Sequence, residues 1–170
     1  VLAFARANSV PEGTNISAVC EPIALVTLSD TIRPHIQETL QAFRDEGIQL
    51  KVISGDSLRT VQAIAQASGM DVQDAYSGDQ LDAMSDGELA HVVQKANVFG
   101  RIEPDTKRRI VNALQTQGQY VAMVGDGVND VPALKQANLA IVMNDGTQIS
   151  KDVADIVLLN NAMRSEEHTS

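Results

Sequence analysis

The sequence predicts an α/β fold in which a parallel sheet carries helices on both faces. Strand-length apolar runs recur along the chain: Ile48 to Ser54, Val98-Phe99, Tyr120 to Val124, Leu139 to Met143 and Ile156 to Leu159. Segments with helical apolar spacing lie between several of them, and that alternation builds βαβ units. One run ends abruptly in Gly125-Asp126-Gly127, with Asn129 and Asp130 just beyond. In open parallel sheets, ligands sit where strands end in this way.

Each element has a local reason. Val1 to Ala5 is a short apolar run with no preceding turn, as if cut from something larger. Residues 8–15 are polar, hold Pro11 and Gly13, and read as a loop. Ile23 to Leu28 is a strand candidate, followed by Asp30-Thr31-Ile32-Arg33-Pro34. Ile36, Leu40 and Phe43 mark a helix that Gly47 ends. Ser57 caps a helix carrying Leu58, Val61 and Ile64, which Gly69 terminates. Ser85-Asp86-Gly87-Glu88 is a capping box opening a helix through Lys95. Pro104 stands in the first turn of a helix through Gln117, with Gly118 at its end. Asn129 to Ala137 reads as a short helix. Arg164 to Ser170 fits nothing before it and reads as a non-native polar tail.

Composition narrows the function. A chain of 170 residues suits one ordinary domain, and 44% hydrophobic residues suffice for a core. Aromatics are 3%, so that core is aliphatic. No apolar stretch approaches the roughly 20 residues of a membrane span, and no secretory signal is present; both predict a soluble piece. A net charge of −9 argues against nucleic-acid binding. Cys20 is the one cysteine, which excludes an internal disulfide and a cysteine-based metal site. His35, His91 and His168 show no ligand spacing and read as surface residues.

The chemistry gathers at strand ends. Asp126 and Asp130 put two carboxylates one helical turn apart, and hard oxygen ligands suit Mg²⁺ beside a phosphate. An acidic turn with Asn129 and Asp130 capping the next helix is the plain alternative. Ser54-Gly55-Asp56 places a hydroxyl and a backbone N–H at another strand end, where they can hold phosphate oxygens. Alone, it is equally a strand–helix turn. Lys107 alone is a solvated lysine beside Arg108 and Arg109, and Arg101 a generic surface residue.

Four motifs in order resemble the P-type cation-transporting ATPases, over roughly residues 1–163. Gly125-Asp126-Gly127-Val128-Asn129-Asp130, with Val131-Pro132-Ala133-Leu134-Lys135, is similar to the family's hinge motif. Ser54-Gly55-Asp56 is similar to its Thr-Gly-Asp, Arg101 to Lys107 to its Arg-x-x-Pro-x-x-Lys, and Ala154 to Leu158 to its Ala-Asp-x-Val-Leu. The family's phosphorylated Asp-Lys-Thr-Gly-Thr does not occur in the chain. Asp30-Thr31 departs from the usual aspartate-proline hinge.

The resemblance implies a Rossmann-like sheet of the haloacid-dehalogenase-like kind, lacking the strand that bears the nucleophilic aspartate. It implies that residues 1–8 close a nucleotide-binding domain and that residues 9–163 are a partial phosphorylation domain. It assigns Ser54, Gly55, Asp56, Lys107, Asp126 and Asp130 to the catalytic site. It assigns phosphate or nucleotide contact to Arg101 and Asn129 as well, Mg²⁺ to Asp126 and Asp130, and neutralisation of the phosphorylated aspartate to Lys107. ATP is the implied substrate and a cation the implied cargo. The parent would be a multi-pass membrane protein with this segment on the cytoplasmic side. Lys135-Gln136-Ala137 and Asn144-Asp145-Gly146-Thr147 look closer to the alkali and alkaline-earth pumps than to the heavy-metal class. Two other readings stay open: a soluble phosphatase of the same superfamily, and a non-catalytic nucleotide-binding module. The phosphatase needs an Asp-x-Asp nucleophile near the start, and residues 1–29 contain no aspartate.

Overall fold

The structure, a computed structural model, describes residues 2–7, 20–27, 32 and 35–159. The loop at 8–15, most of the Asp30 to Pro34 hinge and the tail at 164–170 lie outside the described residues. The chain divides into two compact units, Val1–Arg33 and Pro34–Ser170.

In the first unit, β1 (Leu2–Ala7) and β2 (Cys20–Val26) pair antiparallel, from Leu2↔Val26 to Ala7↔Cys20. The register shifts between Phe4 and Ala5, opposite Pro22. A proline has no N–H for the ladder, so the irregularity falls where pairing would fail anyway. Leu2, Phe4, Ile23 and Leu25 are exposed.

The second unit contains two parallel three-stranded sheets. In one the order is β3 (Val52–Ile53), β5 (Ala96–Gly100), β4 (Asp74–Ser77); in the other it is β6 (Ala122–Gly125), β7 (Leu139–Met143), β8 (Ile156–Leu158). The α/β architecture with parallel strands matches the sequence expectation, which included a strand missing from the sheet. Among the described residues β3 ladders only with β5, and β6 only with β7.

That arrangement explains two shortened strands. The run Ile48 to Ser54 yields only Val52–Ile53, because only those residues register with β5 and, among the described residues, no strand pairs on the other side. Tyr120 and Val121 fall outside β6; the Asn138 side chain accepts the Val121 N–H at 2.9 Å in place of a ladder bond.

Helices fill the connections: α1 (Ile36–Asp45), α2 (Leu58–Ala67), α3 (Gly78–Asp82), α4 (Asp86–Lys95), α5 (Pro104–Gln115), α6 (Val131–Gln136) and α7 (Gln148–Lys151). Gly47, Gly69 and Gly118 end their helices at positive φ, where glycine carries no steric penalty. The capping box at Ser85 forms as read, with Glu88 accepting the Ser85 N–H at 2.9 Å. β4, α3 and α7 were not foreseen. The expected helix from Asn129 begins as a 3₁₀ turn, Val128–Asp130, before α6.

β5 is buried along its whole length and alternates its contacts. Val98 packs with Val61 and Ala65 of α2, and Phe99 with Leu89, Val93 and Ile110 of α4 and α5. Helix α5 joins the halves. Ile110, Ala113 and Leu114 enter the first sheet's core, while Val111 packs with Met123, Leu134 and Val142 of the second. Among the described residues no helix is long and apolar enough to cross a membrane.

Candidate phosphoryl and cation site

Two loops and one helix start build the site. The first loop leaves β3. Ser54 N–H extends the ladder to the Phe99 carbonyl at 3.0 Å. The Ser54 hydroxyl accepts the Asp56 N–H at 3.1 Å, which closes a tight local turn. Ser57 then caps α2, as its sequence position predicts, accepting the Thr60 N–H at 3.2 Å. Nothing approaches within 4 Å of a Cβ built on Gly55.

The second segment leaves β5 and locks onto the first. Arg101 N–H donates to the Asp56 carbonyl at 2.7 Å, and Ile102 N–H to the Ser54 carbonyl at 3.0 Å. Arg101 has φ 53°, the left-handed region a side chain seldom adopts. Its neighbourhood enforces the bend. A Cβ on Gly78 would fall 2.1 Å from the Arg101 carbonyl oxygen, and one on Gly100 2.4 Å from the Leu58 Cα. Both positions need glycine for close backbone approach.

Three residues after Arg101, Pro104 opens α5, and Lys107 follows within its first turn. The three neighbouring cations part company. Arg108 is half exposed, 3.8 Å from Asp105. Arg109 bonds the Met84 carbonyl and Asp86, both at 3.1 Å. Lys107 turns inward and is only 7% exposed. Its Nζ meets Asp130 Oδ1 at 2.6 Å. The solvated reading of Lys107 therefore does not hold.

The third part is the loop after β6. The other oxygen of Asp130 accepts the Asp126 N–H at 3.3 Å and the Gly127 N–H at 3.2 Å. Asp130 thus ties Lys107 to the loop. Gly125 makes room for it, since a Cβ there would lie 2.6 Å from the Asp130 Cβ. Gly127 has φ −102° and Gly125 is not at positive φ, so close packing, not left-handed backbone, explains Gly125.

The Asp126 carboxylate is exposed and has no hydrogen-bond or ion-pair partner among the described residues. An exposed carboxylate without a protein partner is the kind of hard oxygen ligand that a divalent cation takes. Among the described residues no three His, Cys, Asp or Glu side chains form a ready cage. Asn129 is exposed at the same loop. The residues foreseen from sequence thus fall into two clusters, Ser54 to Asp56 with Arg101, and Lys107 with Asp126 to Asp130. The segment from Arg101 to Lys107 connects them.

Sequence reading missed a contribution from beyond β7. Thr147 N–H donates to the Asp126 carbonyl at 2.8 Å, and Ser150 Oγ to the Gly127 carbonyl at 2.9 Å. The Thr147-x-x-Ser150 spacing, a helix cap, was the available signal: Thr147 Oγ1 accepts the Ser150 N–H at 3.3 Å. The closing Ala154-Asp155 motif is structural in this geometry. Asp155 Oδ2 accepts the Ala140 N–H at 2.8 Å and its own N–H donates back to the Ala140 carbonyl at 2.9 Å, pinning β8 to β7.

The chain is 40% identical over 172 aligned residues to the calcium-transporting ATPase CtpE of Mycobacterium tuberculosis, covering 99% of the chain and 21% of that protein. It is 38% identical to the cation-transporting ATPase pma1 of Synechocystis, covering 98% of the chain and 19% of that protein. It is 39% identical to the P-type magnesium-transporting ATPase 1 of Salmonella typhimurium, covering 79% and 15%. The chain thus spans 15–21% of the length of these curated relatives, which are P-type cation-transporting ATPases. Among solved structures, a catalytic domain of the CPx-ATPase CopB-B, studied for its changes on nucleotide binding, superposes with a TM-score of 0.61 at 30% identity, over 84% of this chain and 46% of that one. The model of the haloacid dehalogenase-like hydrolases matches residues 4–138, and the chain belongs to that family.

Proposed function

We propose that the chain is part of a P-type ATPase that couples ATP hydrolysis, through an aspartyl-phosphate intermediate, to cation transport across a membrane. One observation carries the reading: the buried Lys107–Asp130 pair that holds the Asp126 loop. A cation buried beside an outward carboxylate at strand ends suits phosphoryl transfer, which depends mainly on positioning and charge neutralisation. The likeness to transporters of calcium, magnesium and other cations supports the same reading.

In this reading residues 1–8 close the nucleotide-binding domain and residues 9–163 form part of the phosphorylation domain. The parent carries its membrane helices elsewhere, with this segment on the cytoplasmic side. Ser54 and the Gly55 N–H hold phosphate oxygens, with Asp56 shaping their turn. Arg101 and Asn129 contact nucleotide or phosphate. Lys107 neutralises the acceptor aspartate, which the chain itself does not contain. Asp126 is the principal Mg²⁺ ligand, and Asp130 supports it while anchoring Lys107. Mg²⁺ would supply charge neutralisation at the transferred phosphoryl group.

The missing acceptor has a natural place in the sheet. In haloacid-dehalogenase-like folds the nucleophile's strand lies between those that end in Ser54 and Asp126. Among the described residues both β3 and β6 have an unpaired side.

The test is to join the chain to an upstream segment carrying Asp-Lys-Thr-Gly-Thr and incubate it with radiolabelled ATP and Mg²⁺. The reading requires acid-stable, hydroxylamine-sensitive label on that aspartate, lost in Lys107→Ala and Asp126→Ala. Label that survives both substitutions would refute the assigned roles.

A further inference from the structure

The loop presenting Asp126 is gripped by a helix outside the assigned site. Two successive carbonyls, those of Asp126 and Gly127, are held by the Thr147 N–H at 2.8 Å and the Ser150 hydroxyl at 2.9 Å. Ser150 is 0% exposed. Its one hydroxyl proton goes to Gly127, so at the 2.8 Å contact between the hydroxyls Thr147 is the donor. Gly127 also accepts the Asp130 N–H at 3.0 Å, which uses the second lone pair of its carbonyl. Gly146 lets the two loops meet: a Cβ there would lie 3.0 Å from the Asp126 carbonyl oxygen and 2.9 Å from that of Met143.

We infer that Ser150 is a positioning residue for the Asp126 cation site. Burying a hydroxyl is unfavourable unless it is hydrogen-bonded, and alanine would fill nearly the same space. Here the hydroxyl is spent on the backbone beside the Asp126 carboxylate, which has no protein partner among the described residues. With both carbonyls fixed from α7 and both amides fixed by Asp130, the main chain at Asp126 and Gly127 is held from two sides. The carboxylate is then presented to a cation with little freedom left to lose on binding. Neither Thr147 nor Ser150 touches the cation in this account. The inference rests on the reading of Asp126 as a Mg²⁺ ligand.

The test titrates Mg²⁺ alone into the 170-residue chain and follows backbone amide resonances and hydrogen exchange. In Ser150→Ala, Mg²⁺ affinity read at Asp126 and Gly127 falls about 3- to 10-fold, the scale of one hydrogen bond. Exchange at Thr147 speeds up by a similar factor, while Ile110 and Val111 in α5 stay protected. Unchanged affinity and unchanged Thr147 exchange would overturn the inference while leaving Asp126 as the ligand. Should Ser150→Ala unfold, the α5 amides report it and the native chain decides. Linkage is reciprocal, so Mg²⁺ must then slow exchange at Thr147 and Ser150. Shifts at Asp126 without that slowing overturn the role of Ser150. No Mg²⁺ response at residues 125–130 overturns the cation reading, and the role of Ser150 with it.

Discussion

Lys107 Nζ lies 2.6 Å from Asp130 Oδ1, and the two side chains are 9% and 12% exposed. This pair joins α5, which spans both sheets, to the loop that presents Asp126. Breaking it leaves a buried charge without a partner, which costs about 3–5 kcal/mol. Asp130→Ala should lower stability by that amount in urea unfolding. Asp130→Asn keeps an acceptor for Lys107 and should lose clearly less. A loss well under 1 kcal/mol for Asp130→Ala would show that water already screens the pair.

The glycines of the two loops should respond oppositely to alanine. A Cβ at Gly125 meets the Asp130 Cβ at 2.6 Å, while one at Gly55 meets nothing within 4 Å. Gly125→Ala should displace Asp130, cost about 1–3 kcal/mol as overpacking does, and broaden the Asp126 and Gly127 amide signals. Gly55→Ala should leave stability within about 0.5 kcal/mol. Equal thermal midpoints for the two variants would contradict the packing account of Gly125.

The start of α4 should be acid-sensitive. Hydrogen bonds from the Ser85 hydroxyl, then the Ser85 N–H, hold the Glu88 carboxylate below the usual glutamate range. A depressed folded pKa means the unfolded chain binds more protons in the acidic window. The contribution is therefore complete above the unfolded value and is lost as pH falls through the folded one. A carbon-detected titration of Glu88 should show the low midpoint, with Ser85 amide protection lost at the same pH. Glu88→Gln should remove that pH dependence. A midpoint at or above the ordinary value would contradict the capping geometry.

The unpaired sides of β3 and β6 should accept a strand. Among the described residues Val52–Ile53 and Ala122–Gly125 carry ladders on one side only, and open edges invite association. The 170-residue chain should therefore self-associate with rising concentration in sedimentation velocity. The extended chain carrying Asp-Lys-Thr-Gly-Thr should stay monomeric and protect the Ile53 and Val124 amides. A chain that is monomeric and unfolds cooperatively without the added segment would refute the strand-gap argument.

Sequence reading captured what depends on local chemistry. Ser57, Ser85 and Pro104 begin helices because caps and N-terminal prolines act within one turn, and Gly47, Gly69 and Gly118 end them for the same reason. Leu139–Met143 was legible to the residue because it is central and paired on both sides. Ile48 to Ser54 was read too long because its length depends on partners, which periodicity does not reveal. Lys107 was placed in the site by the resemblance alone, since its neighbours Arg108 and Arg109 suggest a solvated face; the tertiary position of Asp130, which no local pattern reveals, turns it inward. The loop clamp of Thr147 and Ser150 escaped because α7 has four residues, too few for a periodic signal.

The most direct measurement is incubation of the 170-residue chain alone with radiolabelled ATP and Mg²⁺, followed by acid quench and hydroxylamine treatment. In the proposed function Lys107, Asp126 and the Ser54 loop stabilise a transferred phosphoryl group but cannot replace its acceptor. The account predicts no hydroxylamine-sensitive label. Stoichiometric label on Asp30 or Asp56 would contradict it and make the chain a phosphatase with its own nucleophile.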